Sequence, residues 1–78
     1  MALTVYTTTW CGPCRRLKSQ LTQEGIAYQE IDVERDARAA EFVMSVNNGN
    51  RTVPTVVFPD GTASTNPSVR EVKARLGL

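Results

Sequence analysis

The chain has 78 residues, 41% of them hydrophobic, which is enough for one globular domain over 1–78 and too little to divide into two cores. Nine basic residues against eight acidic ones leave a net charge of +1, so no strong field is available to gather nucleic acid or an anionic membrane surface. No stretch approaches the roughly 20 apolar residues of a membrane span, and the opening Met1-Ala2-Leu3-Thr4-Val5-Tyr6 carries no basic leader, so a soluble cytoplasmic protein is expected.

Leu3 to Thr8 is rich in β-branched and aromatic residues in alternation and predicts a strand that ends before Trp10-Cys11. From Cys11 the period changes. Cys14, Leu17 and Leu21 fall at i, i+3 and i+7 on a helix whose other face carries Arg15, Lys18 and Gln23, and Gly25 supplies the stop. Ile26 to Val33 predicts a second strand, and Asp36 caps a second helix with Ala39, Phe42, Val43 and Val46 on its apolar side, ended by Asn47-Asn48-Gly49. Thr55 to Phe58 is a short apolar strand after Pro54. Asp60-Gly61 turns it into a partner strand over 62–64. Asn66-Pro67 predicts an N-cap followed by proline at the first helical position, opening a last helix with Val69, Val72 and Leu76 buried. The order β-α-β-α-β-β-α gives an α/β domain in which a parallel βαβ unit and a late hairpin form a mixed four-stranded sheet flanked by three helices.

The chemistry rests on Cys11-Gly12-Pro13-Cys14. Cysteines three apart at the start of a helix lie within one turn, a separation that a disulfide spans. With Cys11 as N-cap, its sulfur accepts from a backbone N–H near Cys14 and meets the positive end of the helix dipole, which favours the thiolate. Gly12 keeps bulk away from that sulfur, and Pro13 sits in the first turn, where its missing N–H breaks no helical bond. Cys14 points toward the apolar stripe, is expected to be less ionised, and suits a resolving role. A permanent bridge does not fit a reducing compartment. A zinc or iron-sulfur carrier needs four ligands, and with two cysteines and no histidine it would require a second chain sharing Cys11.

Trp10 either walls the sulfur's pocket or packs at a strand end, and Arg15 and Arg16 either attract an acidic thiol substrate or are simply solvated. Pro54 is explained by pre-strand geometry alone. Beside an upstream CxxC, however, a cis Val53-Pro54 bond would turn the backbone of Val53 toward the site, where it can pair with an extended substrate.

Trp10-Cys11-Gly12-Pro13-Cys14 followed by Thr52-Val53-Pro54 resembles the thioredoxin and glutaredoxin superfamily across nearly the whole chain. The resemblance implies the thioredoxin fold, a nucleophilic Cys11, a resolving Cys14 and a cis-proline loop at Pro54. Thioredoxins carry an acid in the strand before the active site, and Leu3 to Thr9 contains none. The stretch from Asn50 to Val56, with Asp60-Gly61 and Thr65-Asn66-Pro67-Ser68, is similar to mycoredoxins, although Gly12-Pro13 departs from their usual aromatic-containing dipeptide. A glutathione-type enzyme would show Gly-Gly where this chain has Thr65-Asn66. The resemblance thus implies a monomeric thiol-disulfide oxidoreductase with no tightly bound cofactor. It would reduce mixed disulfides between proteins and a low-molecular-weight thiol, with mycothiol as co-substrate. Substrate contacts are implied from Trp10, Gly12, Pro13, Thr52, Val53, Pro54, Thr65 and Asn66. The alternative is a thioredoxin-like dithiol donor to protein disulfides such as that of ribonucleotide reductase, recharged by a flavoprotein reductase.

Overall fold

In the computed structural model, which describes residues 3–78, the elements follow the expected order. They are β1 (Leu3–Thr7), α1 (Gly12–Gln23), β2 (Tyr28–Asp32), α2 (Ala37–Val46), β3 (Thr55–Val57), β4 (Ala63–Thr65) and α3 (Val69–Arg75). Met1 and Ala2, part of the segment read for a leader, lie outside the described residues. The sheet order is β2-β1-β3-β4, with β1 parallel to β2 and antiparallel to β3, and β3 antiparallel to β4. No helix among the described residues is long and apolar enough to cross a membrane.

Alternation along β1 sends its side chains into two separate cores. Leu3 and Val5 point to one face, where Leu17 and Leu21 of α1, Val56 and Phe58 pack with Val72 of α3. Tyr6 points to the other face, against Phe42 at a ring separation of 5.1 Å, in the cluster that holds Val33, Ala39, Ala40 and Val43 beneath α2. Val46, expected on the apolar side of α2, is exposed; Ala40 takes its place, because the helix turns its Ala39, Ala40 and Val43 edge to the sheet.

The helix ends follow from local chemistry. At the close of α1 Gly25 adopts φ +70°, the N–H of Ile26 donates to Leu21 O at 2.9 Å and that of Gly25 to Thr22 O at 3.1 Å. These two bonds satisfy carbonyls that the last turn would orphan, and Ile26 and Leu21 join the same core cluster. The Asp36 side chain caps α2 as expected, accepting from the N–H groups of Arg38 and Ala39. The start of α3 corrects the sequence expectation: Ser68 is the N-cap, accepting from Glu71 N–H at 3.0 Å, while Asn66 sits two residues upstream with φ 47°. Pro67 is therefore outside the helix, and it is buried. Ser68 wins because only its hydroxyl lies three residues before an N–H that the helix leaves unpaired.

The strand registers assemble the site. Tyr6 pairs with Thr55, so the segment entering β3 runs alongside the segment leaving β1. Thr55 in turn pairs with Thr65, which brings Asn66 against Pro54, and the Asn66 N–H donates to Pro54 O at 2.7 Å.

Candidate active site

Beyond Thr7 the chain crosses the sheet end and starts α1 with Cys11 as N-cap in extended backbone. The N–H of Cys14 donates to Cys11 Sγ at 3.2 Å, so one of the orphan donors of the first turn is aimed at the sulfur together with the positive end of the helix. Both cysteines are free thiols. Cys11 Sγ lies 3.8 Å from the carbonyl oxygen of Val53, to which its thiol donates, and the Val53-Pro54 bond is cis.

The Cys11 side chain is more recessed than an N-cap position suggests, with 5% of the residue exposed, because Val53 closes over it from the β3 side. The surface at Gly12 beside it is clear, and even a Cβ there would meet nothing within 4 Å. Cys14 is fully buried against the sheet. Burial pushes its thiol up to about 12, helped by the hydrogen bond with Cys11; a backbone N–H from Thr8 and the ammonium of Lys18 work in the opposite direction. The two sulfurs are thus chemically unequal: one accepts from a helix N–H at the start of α1, the other is held as a neutral thiol by burial.

A groove of about 280 Å³ opens beside Pro13, bounded by Arg16 and Gln20 of α1 and by Asn66, Pro67 and Ser68. Larger hollows of about 350 and 470 Å³ lie at the other end of α1, around Glu24 and Leu78, away from both cysteines.

The family model for glutaredoxins matches residues 3–62, which takes in β1, both cysteines and the loop to Pro54. The chain belongs to the glutaredoxin family. A candidate glutaredoxin of Mycobacterium tuberculosis (strain H37Rv) is 65% identical over 75 residues, covering 96% of this chain and 89% of that protein. Mycoredoxin 1 of Corynebacterium glutamicum is 50% identical over 74 residues, covering 95% and 91%. Among solved structures, the glutaredoxin-like protein NrdH-redoxin from Escherichia coli, described by its thioredoxin-like activity profile, superposes with a TM-score of 0.72. It is 29% identical, and the match covers 83% of this chain and 82% of that one. This glutaredoxin is therefore a thiol-disulfide oxidoreductase acting on mixed disulfides, with a low-molecular-weight thiol as co-substrate.

Around Cys11 the glutaredoxin brings together Gly12, Pro13, Val53 and Pro54, with Asn66 tied to Pro54 from β4. Trp10 is 70% exposed, and its Nε1 donates to Glu34 Oε1 at 3.1 Å, which holds the indole toward the β2–α2 corner. Thr52 turns its carbonyl inward to accept from the Thr55 hydroxyl, and the Thr65 hydroxyl donates to Asn47 Oδ1.

Several polar residues around the cysteines escaped the sequence reading. Lys18, assigned to the solvent face, is one helical turn beyond Cys14 and binds Glu30 Oε2 at 2.8 Å, while the buried Thr7 hydroxyl donates to the same oxygen at 2.7 Å. Glu30 comes from β2, where it pairs in register with Val5. Lys18, with help from Thr7, holds the Glu30 carboxyl below its ordinary range. Next to Thr7, the buried Thr8 hydroxyl has no partner among the described residues. Only the i, i+4 spacing of Cys14 and Lys18 could have pointed to this cluster from sequence.

Proposed function

We propose that this glutaredoxin reduces protein–mycothiol mixed disulfides through attack by Cys11, and that it does so as a cytoplasmic monomer. The observation that carries the role of Cys11 is the inequality of the two sulfurs: Cys11 Sγ receives the Cys14 N–H at 3.2 Å at the start of α1, whereas burial keeps Cys14 protonated. The Cys11 thiolate attacks the small-thiol sulfur of the mixed disulfide. A bond forms between Cys11 Sγ and that sulfur as the S–S bond to the client's cysteine sulfur breaks, and the client leaves as a thiolate that takes a proton from solvent. A second small thiol, as thiolate, then attacks the adduct. It releases the oxidised small-thiol dimer and returns Cys11 to its thiolate.

Support for a small-thiol ligand comes from the groove beside Pro13, where Arg16, Gln20, Asn66 and Ser68 offer charge and hydrogen bonds to a polar thiol. Support for mycothiol comes from the 50% identity to Mycoredoxin 1 over nearly the whole length. Val53, Pro54 and Thr52 would flank the bound disulfide on the β3 side, with Trp10, Gly12 and Pro13 on the other and Thr65 and Asn66 at its edge.

The second reading, a dithiol donor recharged by a flavoprotein reductase, is favoured by Gly12-Pro13 and by the likeness to NrdH-redoxin. The serine variants separate the two. In the mixed-disulfide cycle Cys11→Ser is inactive, and Cys14→Ser retains turnover of a mycothiol-modified peptide, since the second thiol resolves the Cys11 adduct. An inert Cys14→Ser enzyme, stalled as a covalent complex with its client, would reject the first reading for the second. Coupled assays with mycothiol, glutathione and a flavoprotein reductase as electron sources identify the reductant.

A further inference from the structure

A chain of side-chain hydrogen bonds starts at the end of α2 and finishes at the loop facing Cys11. Asn47, the C-cap of α2, donates through Nδ2 to Val43 O at 2.8 Å and to Thr55 Oγ1 at 3.1 Å, and its Oδ1 accepts from the Thr65 hydroxyl. The orientation of the amide is fixed by its partners. Val43 O can only accept, so the nitrogen must face it. Thr55 is fully buried, and its hydroxyl has a single proton. With one lone pair occupied by the Asn47 amide, that proton is committed to Thr52 O, 2.7 Å away.

We propose that Asn47, acting through the Thr55 hydroxyl, is a positioning residue that sets the Thr52-Val53 peptide against Cys11. The warrant is peptide planarity: in a trans unit the C=O of Thr52 and the N–H of Val53 point in opposite directions, so tying the oxygen inward turns the N–H away from Thr55. That N–H makes no hydrogen bond among the described residues. On its other side Val53 O lies 3.8 Å from Cys11 Sγ, and Pro54 O is held by Asn66 N–H at 2.7 Å. The flanking carbonyls are thus anchored to the frame, and Val53 keeps its own N–H for a substrate.

The inference rests on the reading of Cys11 as the attacking sulfur, and its test has a readout that does not depend on turnover. Thr55→Val keeps the shape of the side chain and removes the hydroxyl; Thr55→Ser keeps the hydroxyl. Asn47→Ser, at a half-buried position, removes the amide that donates to Thr55 and keeps the test open should Thr55→Val fail to fold. The Val53 amide resonance in ¹⁵N-labelled reduced protein is expected to move in Thr55→Val and Asn47→Ser and to stay near wild type in Thr55→Ser. With a mycothiol–peptide mixed disulfide, KM is expected to rise about tenfold in the two disrupting variants with kcat little changed, as loss of one docking hydrogen bond in uniform binding predicts. An unmoved Val53 amide overturns the proposal, as does a lowered Tm with unchanged KM or a Thr55→Ser enzyme as impaired as Thr55→Val. A wild-type protein inert toward the mixed disulfide would reject the Cys11 reading, and the amide shifts would still decide whether the network sets the loop.

Discussion

Removing Cys11 isolates Cys14 and turns its burial into a measurable rate. In Cys11→Ser the hydrogen bond and charge of the partner sulfur are lost, but burial, the largest cause of the shift from 9.0 to about 12, remains. At about pH 8 a thiol titrating at 9.0 is roughly 10% ionised, and one at 12 is roughly 0.01% ionised, a loss of about 1000-fold in thiolate. Nucleophilicity per thiolate rises with basicity, with a Brønsted slope of about 0.4–0.5, which over three units recovers about 20-fold. With the Cys11 hydrogen bond and charge gone, alkylation of Cys14 by iodoacetamide should therefore run up to about 50-fold slower than that of free cysteine. Intact-mass kinetics under pseudo-first-order conditions measure the ratio, and the same variant unfolded in urea supplies the control in which Cys14 reacts as an ordinary thiol. A folded Cys11→Ser protein that alkylates within about threefold of free cysteine would refute the assignment of Cys14 as the suppressed thiol.

Other consequences are open to direct measurement. Leu21→Ala, at a fully buried position where α1 meets the sheet, should cost about 2–5 kcal/mol, read as a lower urea midpoint at constant m. Because the Cys14 thiol titrates higher in the folded chain than in the unfolded one, the stability it lends is complete below about pH 9 and falls as pH rises toward 12. Reduced wild type should lose stability over that window more steeply than Cys14→Ala does in urea titrations. Glu30 titrates below its ordinary value of 4.5 because of Lys18 and Thr7, so its contribution is present above that pH and lost as pH falls through the folded value. Glu30→Gln should flatten the acid limb by no more than about 1 kcal/mol, since the Lys18–Glu30 pair is partly solvated.

Local signals determined most of the fold and the placement of the two cysteines at the start of α1. The alternation of Leu3, Val5 and Thr7, the spacing of Cys14, Leu17 and Leu21, the cap at Asp36 and the stop at Gly25 each depend on a few neighbouring residues, and each appears in the structure as read. The N-cap geometry of Cys11 was legible for the same reason: a residue that opens a helix meets its donors within the next turn. What only the tertiary structure decided is how distant segments meet. The approach of Val53 to Cys11 follows from the Tyr6–Thr55 register, and the tie from Asn66 to Pro54 follows from the hairpin; no local pattern encodes either distance. Glu30 meets Lys18 and Thr7 because β2 lies parallel to β1, and Asn47 is linked to Thr52 through Thr55 only because α2 packs over the face of β3 that carries Thr55. Hydrophobic periodicity records which face of an element is buried. It does not record which polar partner waits there, because a hydrogen bond across the fold depends on register and packing between elements that the chain brings together only once it is folded.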